Sequence, residues 1–328
     1  MNNTTINPAT TYPTTSVVVC DTNHLSIIKV SGDDAKAFLQ GQFSNDVNLL
    51  NELDTQLNSY NSPKGRMYTA FRLCLLDSNY YILLPTATVE PVLKRLKMFV
   101  MRSNVTLEDF STQWKTLGIS GEGLNETLEE HTLTLPANSN QSVKIGQKYL
   151  INITKHTSET PRVLLVGPEQ EIIDTKNKLK EQLPLVGNEH WKRLDIHAGI
   201  PNIYENTMES FVAQMINFQL IDGVSFTKGC YPGQEVVARM HYLGKLKKRM
   251  YRVSLNSAAM PDDKIFDTSG GNQQSVGQIV DAQENENGGF DALAVIQVAA
   301  ADSGALKLGA LDGESIAIET LPYAFPED

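Results

Sequence analysis

The segment Lys228-Gly-Cys-Tyr-Pro-Gly-Gln-Glu-Val-Val-Ala-Arg239 is the most informative stretch of this sequence. Its two glycines and its proline crowd into the first six residues and predict a tight loop. The loop presents Cys230 two positions after Lys228 and just before Gln234 and Glu235. A neighbouring ammonium favours a thiolate and lowers the pKa of a cysteine from ~8.5. The pattern predicts a reactive or ligand-binding thiol, with a structural cysteine in a turn as the alternative.

Upstream of this loop, the chain begins with a strand and a short helix. Residues 25–30, Leu-Ser-Ile-Ile-Lys-Val, form a short, mainly apolar run that is typical of a strand. Ser31 and Asp34 then have the spacing of a capping box, and Gly41 supplies a stop signal. We therefore predict a strand over 25–30 and a helix that begins at Ser31.

Two later stretches share one plan, a strand that leads directly into a helix. The hairpin predicted over 68–76 and 80–84 ends in Tyr-Tyr-Ile-Leu-Leu-Pro, and an amphipathic helix follows over 89–100. Residues 162–168 read Arg-Val-Leu-Leu-Val-Gly-Pro, and a second helix follows with apolar positions that extend to Leu183. The repetition predicts two related α+β units.

The chain changes character after a third predicted helix at 189–198. Beyond residue 245, turn-forming residues separate short apolar runs without a helical period, which predicts a small β-barrel or sandwich. We expect a disordered tail over 1–16, an α+β region over 17–244 and a β-barrel over 245–328. The short apolar runs are 250–255, 276–280, 292–299 and 315–321.

Composition excludes several classes of protein. No apolar stretch reaches the ~18 residues of a spanning helix, and the polar start does not resemble a signal peptide. Cys20, Cys74 and Cys230 form neither a disulfide framework nor a metal-binding pair, and the six histidines are scattered. We expect a cytoplasmic protein that contacts no membrane and holds no tightly bound metal.

Charge is distributed unevenly along the chain. The net charge is -10, yet residues 253–328 contain 13 acidic and 2 basic side chains. This balance argues against direct nucleic-acid binding. The cationic run from Lys245 to Arg252 precedes the acidic part, and it is either a local anion site or a solvated strand face.

The segment 228–239 closely resembles the signature of the YgfZ family, folate-binding relatives of the glycine-cleavage T-protein. The resemblance continues over most of the chain through shorter motifs in the family's order. In the last of these motifs, Ala213 replaces a proline. The supporting segments are 32–46, Ser62 to Arg66, Trp191 to Pro201 and Phe211 to Asn217.

This resemblance implies a fold and a set of site residues. The fold is α+β, with two related units and a C-terminal β-barrel around a central channel that accepts tetrahydrofolate. The resemblance assigns Cys230 and Lys228 as catalytic, with Gly229, Tyr231, Gly233, Gln234 and Glu235 completing the loop. Trp191 becomes a folate contact, and so does Leu25, where the family can have an aromatic residue.

Elementary chemistry adds two candidate folate contacts and one alternative. Arg66 and Arg239 are candidates for the glutamate carboxylates, since guanidinium pairs with carboxylate in a bidentate fork. Solvated surface arginines are the alternative. Trp191 can likewise be a core residue, because its large apolar surface favours burial.

Three functions follow from these features. The first is a folate-dependent factor for assembly or repair of iron–sulfur proteins, which supports tRNA modification by methylthiolation; its partners are iron–sulfur enzymes or their assembly factors. The second is an aminomethyltransferase of one-carbon metabolism, but Lys64-Gly-Arg-Met-Tyr-Thr69 lacks the carboxylate that such enzymes need. The third is a non-catalytic folate-binding scaffold.

Overall fold

The computed structural model describes residues 16–244, 246–269 and 274–326. The predicted disordered tail, apart from Ser16, and Lys245 lie outside the described residues. The strands are β1 Val18–Asp21, β2 Leu25–Ser31, β3 Thr55–Asn61, β4 Met67–Leu76, β5 Asn79–Pro85, β6 Thr106–Asp109, β7 Trp114–Ser120, β8 Ser142–Ile145, β9 Lys148–Asn152, β10 Arg162–Pro168, β11 Leu185–Val186, β12 Lys248–Leu255, β13 Lys264–Asp267, β14 Gly277–Glu284, β15 Phe290–Gln297, β16 Leu306–Leu308 and β17 Ala317–Glu319. The α-helices are α1 Ala35–Gln40, α2 Val89–Val100, α3 Leu124–Glu130, α4 Glu169–Leu179, α5 Asn188–His197, α6 Gln234–Leu243 and α7 Val298–Ala301.

The first sheet has the strand order β3-β4-β5-β2-β6. Its β4–β5 hairpin turns at Asp77 and Ser78, both of which have positive φ, as a two-residue turn with the twist of the strands requires. Helices α1 and α2 cover one face of the sheet, and α2 buries Val92 and Leu96 there. The predicted strand, hairpin and amphipathic helix are confirmed.

The second sheet repeats this plan, with the order β8-β9-β10-β7-β1-β11. Helix α3 follows β7 as α1 follows β2, and α4 follows β10 as α2 follows β5. The N-terminal strand β1 lies antiparallel to β7, in the place that β6 takes beside β2. The predicted pair of related α+β units is therefore confirmed, with the first strand of the chain belonging to the second unit.

One glycine in each unit marks the repeat at atomic detail. Gly32 follows β2 with φ +111°, and Gly121 follows β7 with φ +142°. An added Cβ would lie 2.1 Å from the Asn104 carbonyl oxygen at Gly32 and 2.5 Å from the Ser16 carbonyl oxygen at Gly121. Each glycine thus admits the backbone that leads into the adjacent strand, which no other residue type allows.

Two predicted helix boundaries are wrong. Helix α1 begins after Asp34 rather than at Ser31, and the Asp34 carboxylate accepts a hydrogen bond from the Asn104 backbone N–H instead of capping the helix. Helix α4 ends at Leu179, and Leu183 packs against the core from the segment that follows. Tertiary contacts therefore override local capping and apolar spacing at both ends.

The two sheets pack face to face, with helices α1 to α4 on the outer faces. Apolar residues of both sheets form one cluster between them, including Ile27 and Leu83 from the first and Val18 and Leu164 from the second. Helix α5 adds Trp191 to this cluster. The region between the sheets is therefore where a cavity with walls from both units can form.

The C-terminal strands form an open half-barrel with the order β16-β13-β14-β15-β12-β17. A bulge interrupts β14 between Ile279 and Asp281, and β14 packs against α5. The β-only prediction misses α7, where Val298 and three alanines make one helical turn because alanine is the best helix former. Within the described ranges, no helix combines the length and apolarity needed to cross a membrane.

Candidate functional site

The two motif loops predicted from the sequence touch each other. Gly233 lies at the N-terminus of α6 with φ +81°, and an added Cβ would lie 2.5 Å from both Gly65 Cα and the Ser62 carbonyl oxygen. The loop that contains Ser62 and Gly65 therefore supports the loop that contains Cys230. The Cys230 thiol itself is exposed to solvent.

The Lys228 ammonium binds backbone carbonyls, whereas the sequence places it beside the Cys230 thiol. Its Nζ donates to the backbone carbonyls of Gln40, Phe43 and Asn45, at 2.7, 2.6 and 2.9 Å. The side chain is buried, and burial lowers the pKa of the ammonium to about 8, although the charge of Asp46 opposes that shift. The ammonium thus binds the end of α1 and the segment that follows it, and a catalytic role for Lys228 stays a prediction.

The other residues of the loop divide between core and surface. Tyr231 is buried, with its ring 5.1 Å from Lys228 Nζ, and burial raises the pKa of its phenol to about 12. Gln234 Nε2 donates to the Lys228 carbonyl at 3.3 Å and closes the loop. Gly229 and Glu235 are exposed beside Cys230. The loop is thus a rigid, lysine-anchored support for one accessible thiol.

The three cysteines differ in accessibility. Cys20 in β1 and Cys74 in β4 are fully buried, whereas Cys230 is exposed. Burial raises the pKa of both the Cys20 and the Cys74 thiols to about 12. Both are therefore held as inert thiols.

Three adjoining cavities lie along the second unit, the first two against the first unit and the third against the half-barrel. The first, of about 70 Å³, shares Leu57, Arg72, Ile153 and Ile200 with a second of about 20 Å³. The second shares Glu159 and Ala198 with a third of about 260 Å³. These shared walls make one line of cavities, and together their volumes reach the lower end of the ~300–1,000 Å³ typical of ligand sites.

The first cavity brings together the two residues that the family resemblance predicts as folate contacts. Trp191 from α5 and Leu25 from β2 line it together. Trp191 is also a core residue. Its ring packs so closely on Gly118 that a Cβ added there would lie 2.4 Å from Cε3, and the Arg162 guanidinium lies 5.0 Å from the ring. The two roles weighed for Trp191 are therefore compatible.

The same cavity contains polar groups that sequence reasoning missed. Asp195 lies one helical turn after Trp191 and accepts a hydrogen bond from Arg162 Nη1 at 2.7 Å. Burial raises the pKa of the Asp195 carboxyl, and Arg162 opposes that shift. Asn202 and Arg72 complete the polar wall. The i, i+4 spacing of Trp191 and Asp195 on a predicted helix is the signal that could have found this carboxylate.

The predicted arginines lie elsewhere. Arg66 Nη1 donates to the Ser210 carbonyl at 2.6 Å, and Arg239 is exposed on α6. Neither lines any of the three cavities. The cavity arginines are instead Arg72, Arg162 and Arg252, of which Arg252 belongs to the cationic run noted in the sequence.

The lining of these cavities suits a flat, polar heterocycle with an anionic extension. Apolar side chains and the indole of Trp191 can cover the faces of a ring, while Asp195 and Asn202 can pair with N–H and carbonyl groups at its edge. Arginines further along can hold carboxylates. In the described part of the chain, no cluster of three or more His, Cys, Asp or Glu residues could hold a metal ion.

Comparison with known proteins supports the fold and the family. The GCVT N-terminal domain family matches residues 9–169. The fold is that of glycine cleavage system aminomethyltransferase T from Bartonella henselae, with a TM-score of 0.72 at 13% identity over 94% of this chain and 86% of that one. This likeness confirms the predicted T-protein-like fold.

Two relatives align with this chain over about 90% of both lengths. The tRNA-modifying protein YgfZ of Colwellia psychrerythraea is 32% identical over 301 residues, 90% of each chain. The protein of the same name from Yersinia pseudotuberculosis is 27% identical over 305 residues, 92% of this chain and 91% of that one. The chain therefore belongs to the YgfZ family.

Proposed function

We propose that this chain is a cytoplasmic tetrahydrofolate-binding protein that acts in the assembly or repair of iron–sulfur proteins and thereby supports tRNA modification. The observation that carries the proposal is the line of cavities that begins at Trp191 and Asp195 and ends at Arg252. Its relatives are named tRNA-modifying proteins, which connects the ligand site to a tRNA product.

Folate would bind with its pteridine in the Trp191 cavity. The indole and Leu25 offer apolar surface to the ring faces, and the buried Asp195 carboxylate can accept from the ring N–H and amino groups. Because the middle cavity holds only about 20 Å³, side chains at Ile153 and Ile200 must move for the benzoyl linker to pass. The lining residues therefore explain both recognition and selectivity for a narrow ligand.

Cys230 would act on the outer surface, apart from the folate. Its thiol is exposed on a loop that Lys228 fixes to the first unit, so a partner protein can reach it. One cysteine cannot complete the four-thiolate ligand set of a cluster, so iron–sulfur enzymes or their assembly factors must supply the other ligands. Direct contact with tRNA is not part of this proposal.

The folate half of the proposal is tested by calorimetric titration with tetrahydrofolate. We expect one site per chain and at least tenfold weaker binding in Asp195→Asn, since a charge-assisted hydrogen bond contributes about 1.5–3 kcal/mol. Asp174→Asn, on the exposed side of α4, is the matched control and should bind like the wild type. Equal affinity in all three folded proteins would refute this placement.

The thiol half is tested in cells that lack the protein, by measuring methylthiolated tRNA. Cys230→Ala should fail to restore the modification, while its folate affinity and its unfolding free energy stay at the wild-type values. A Cys230→Ala variant that restores normal modification would establish the scaffold alternative instead.

A further inference from the structure

The half-barrel contributes one buried carboxylate that faces away from its own core. Before the bulge in β14, Ile279 pairs with Ala294, whereas after it Asp281 pairs with Leu293. Cross-strand partners share a face of a sheet. Ala294 belongs to the core of the half-barrel, while Leu293 belongs to the cluster that joins the half-barrel to α5 and the segment after it. The bulge therefore directs the Asp281 side chain toward that segment.

Two side chains of the segment after α5 bind this carboxylate. Asn202 Nδ2 donates to Asp281 Oδ2 at 3.2 Å, and the Tyr204 hydroxyl donates to Asp281 Oδ1 at 2.9 Å. Asp281 is buried and lines none of the three cavities, whereas Asn202 lines the first. Any influence of Asp281 on a ligand in that cavity therefore passes through Asn202.

The Asn202 amide has its N–H groups directed at two carboxylates. One donates to Asp281, and burial raises the pKa of the Asp195 carboxyl against a hydrogen bond from the same amide. The reverse orientation would place the amide oxygen against both carboxylates, where acceptors repel each other. This oxygen accepts from no donor in the described part of the chain. It is therefore left as an acceptor at the cavity wall.

We propose that Asp281 is a positioning residue that makes Asn202 an obligate hydrogen-bond acceptor in the first cavity. Because Asp195 is an acceptor too, the wall selects a ring edge with two donors, such as an amino group beside a ring N–H. The 2-amino edge of a pteridine has these donors, and its assignment here rests on the proposed folate function. The half-barrel thus controls ligand specificity without touching the ligand.

The test compares tetrahydrofolate with its 2-desamino-2-methyl analogue by calorimetry at pH 8, above the pKa of about 7 that burial gives Asp281. Wild-type protein should bind tetrahydrofolate about tenfold more tightly than the analogue. Asp281→Leu should reduce this ratio to less than about threefold by weakening tetrahydrofolate alone, because the Asn202 amide can then rotate. Asp281→Asn retains an acceptor opposite Asn202 and should keep the ratio. Asp281→Ala takes the place of Asp281→Leu if that variant does not fold.

Tyr204→Phe is the matched structural control, because it removes the other hydrogen bond to Asp281. It should lower the free energy of unfolding but keep the full ratio, whereas a loosened cavity would weaken both ligands equally.

Hydrogen exchange of the Asn202 side-chain amide, followed by NMR without ligand, tests the positioning independently of folate. We expect protection in wild type and in Asp281→Asn that is lost in Asp281→Leu. If neither pterin binds, the folate function falls, and the exchange measurement alone decides the role of Asp281. Equal binding of both pterins by wild type, an undiminished ratio in Asp281→Leu, or equal exchange in all variants would overturn the proposal.

Discussion

At the scale of single residues, the three cysteines show how burial separates a usable thiol from two inert ones. Native protein should incorporate one equivalent of iodoacetamide rapidly at Cys230, because Cys20 and Cys74 are fully buried and the pKa of each is about 12. Peptide mapping by mass spectrometry before and after denaturation measures this difference. Early labelling of Cys20 or Cys74 would contradict the structure.

Lys228 is predicted to stabilise the fold rather than the thiolate. Lys228→Met removes the donor from three backbone carbonyls, of which that of Phe43 is buried and the other two are partly buried, and should lower the free energy of unfolding by about 2–5 kcal/mol in urea titrations. Lys64→Met, in the exposed part of the neighbouring loop, is the control and should change it by less than about 0.5 kcal/mol. Unchanged stability in Lys228→Met, with slower Cys230 alkylation, would restore the thiolate role.

Asp281 makes stability depend on pH in an uncommon direction. It is buried beside Tyr204 and Asn202, and burial raises its pKa to about 7. Between about pH 4 and 7 the folded chain keeps a proton that the unfolded chain releases, so stability falls as pH rises, by about 1.4 kcal/mol per unit. The loss begins at the unfolded pKa and is complete at the folded one.

The comparison with Asp281→Asn isolates this contribution from other titrating groups. The amide stays neutral, so the variant should lack that part of the pH dependence, and the difference from wild type should change by about 4 kcal/mol between pH 4 and 7. Urea unfolding at four pH values in this range measures it. A difference that stays constant with pH would show that Asp281 is ionised in the folded protein.

At the scale of elements, the repeat of strand, glycine and helix explains how two units share one plan. Gly121→Ala should destabilise the chain by more than about 2 kcal/mol, since it adds a backbone clash at the Ser16 carbonyl to an unfavourable φ. Gly146→Ala has a positive φ but no atom within 4 Å of its added Cβ, so it should cost about 1 kcal/mol. Thermal unfolding measures the stability of both variants. Equal losses of stability would show that the backbone contact at Gly121 adds nothing to the cost of its positive φ.

The sequence predicted the elements better than it predicted contacts between them. Apolar periodicity identified α2 and the β4–β5 hairpin because those patterns depend on neighbours along the chain. The Ser-Gly-acid stretches at 31–33 and 120–122 also lie in the sequence and mark the repeat. Assignment of β1 to the second sheet depends on pairing across about a hundred residues, which local patterns do not encode.

The same division applies to the candidate site. The glycines around Cys230 predict a loop, and Cys230 is exposed on it. The short separation of Lys228 and Cys230 in the sequence suggests a contact between them, but the Lys228 ammonium binds the backbone carbonyls of Gln40, Phe43 and Asn45 instead. Charge alone makes Arg66 and Arg239 candidates for carboxylate binding. Arg162 could not be distinguished from them by sequence, because its position depends on the meeting of β10 with α5.

At the scale of the whole molecule, the two sheets and the half-barrel together line one row of cavities. We expect tetrahydrofolate to occupy these cavities. The Trp114→Phe variant leaves Trp191 as the only tryptophan, at the wall of the first cavity. Trp114 itself stacks on Tyr81 at 4.4 Å and lines none of the three cavities, so the matched Trp191→Phe variant reports from elsewhere.

Fluorescence titration of these two variants with tetrahydrofolate is the most direct test. We expect saturable quenching of Trp191 with one ligand per chain, because the pteridine would contact the indole. In the Trp191→Phe variant, the fluorescence of Trp114 should change far less, and only to the extent that this variant still binds tetrahydrofolate. Absence of saturable quenching at Trp191, or quenching confined to Trp114, would contradict folate binding in this channel.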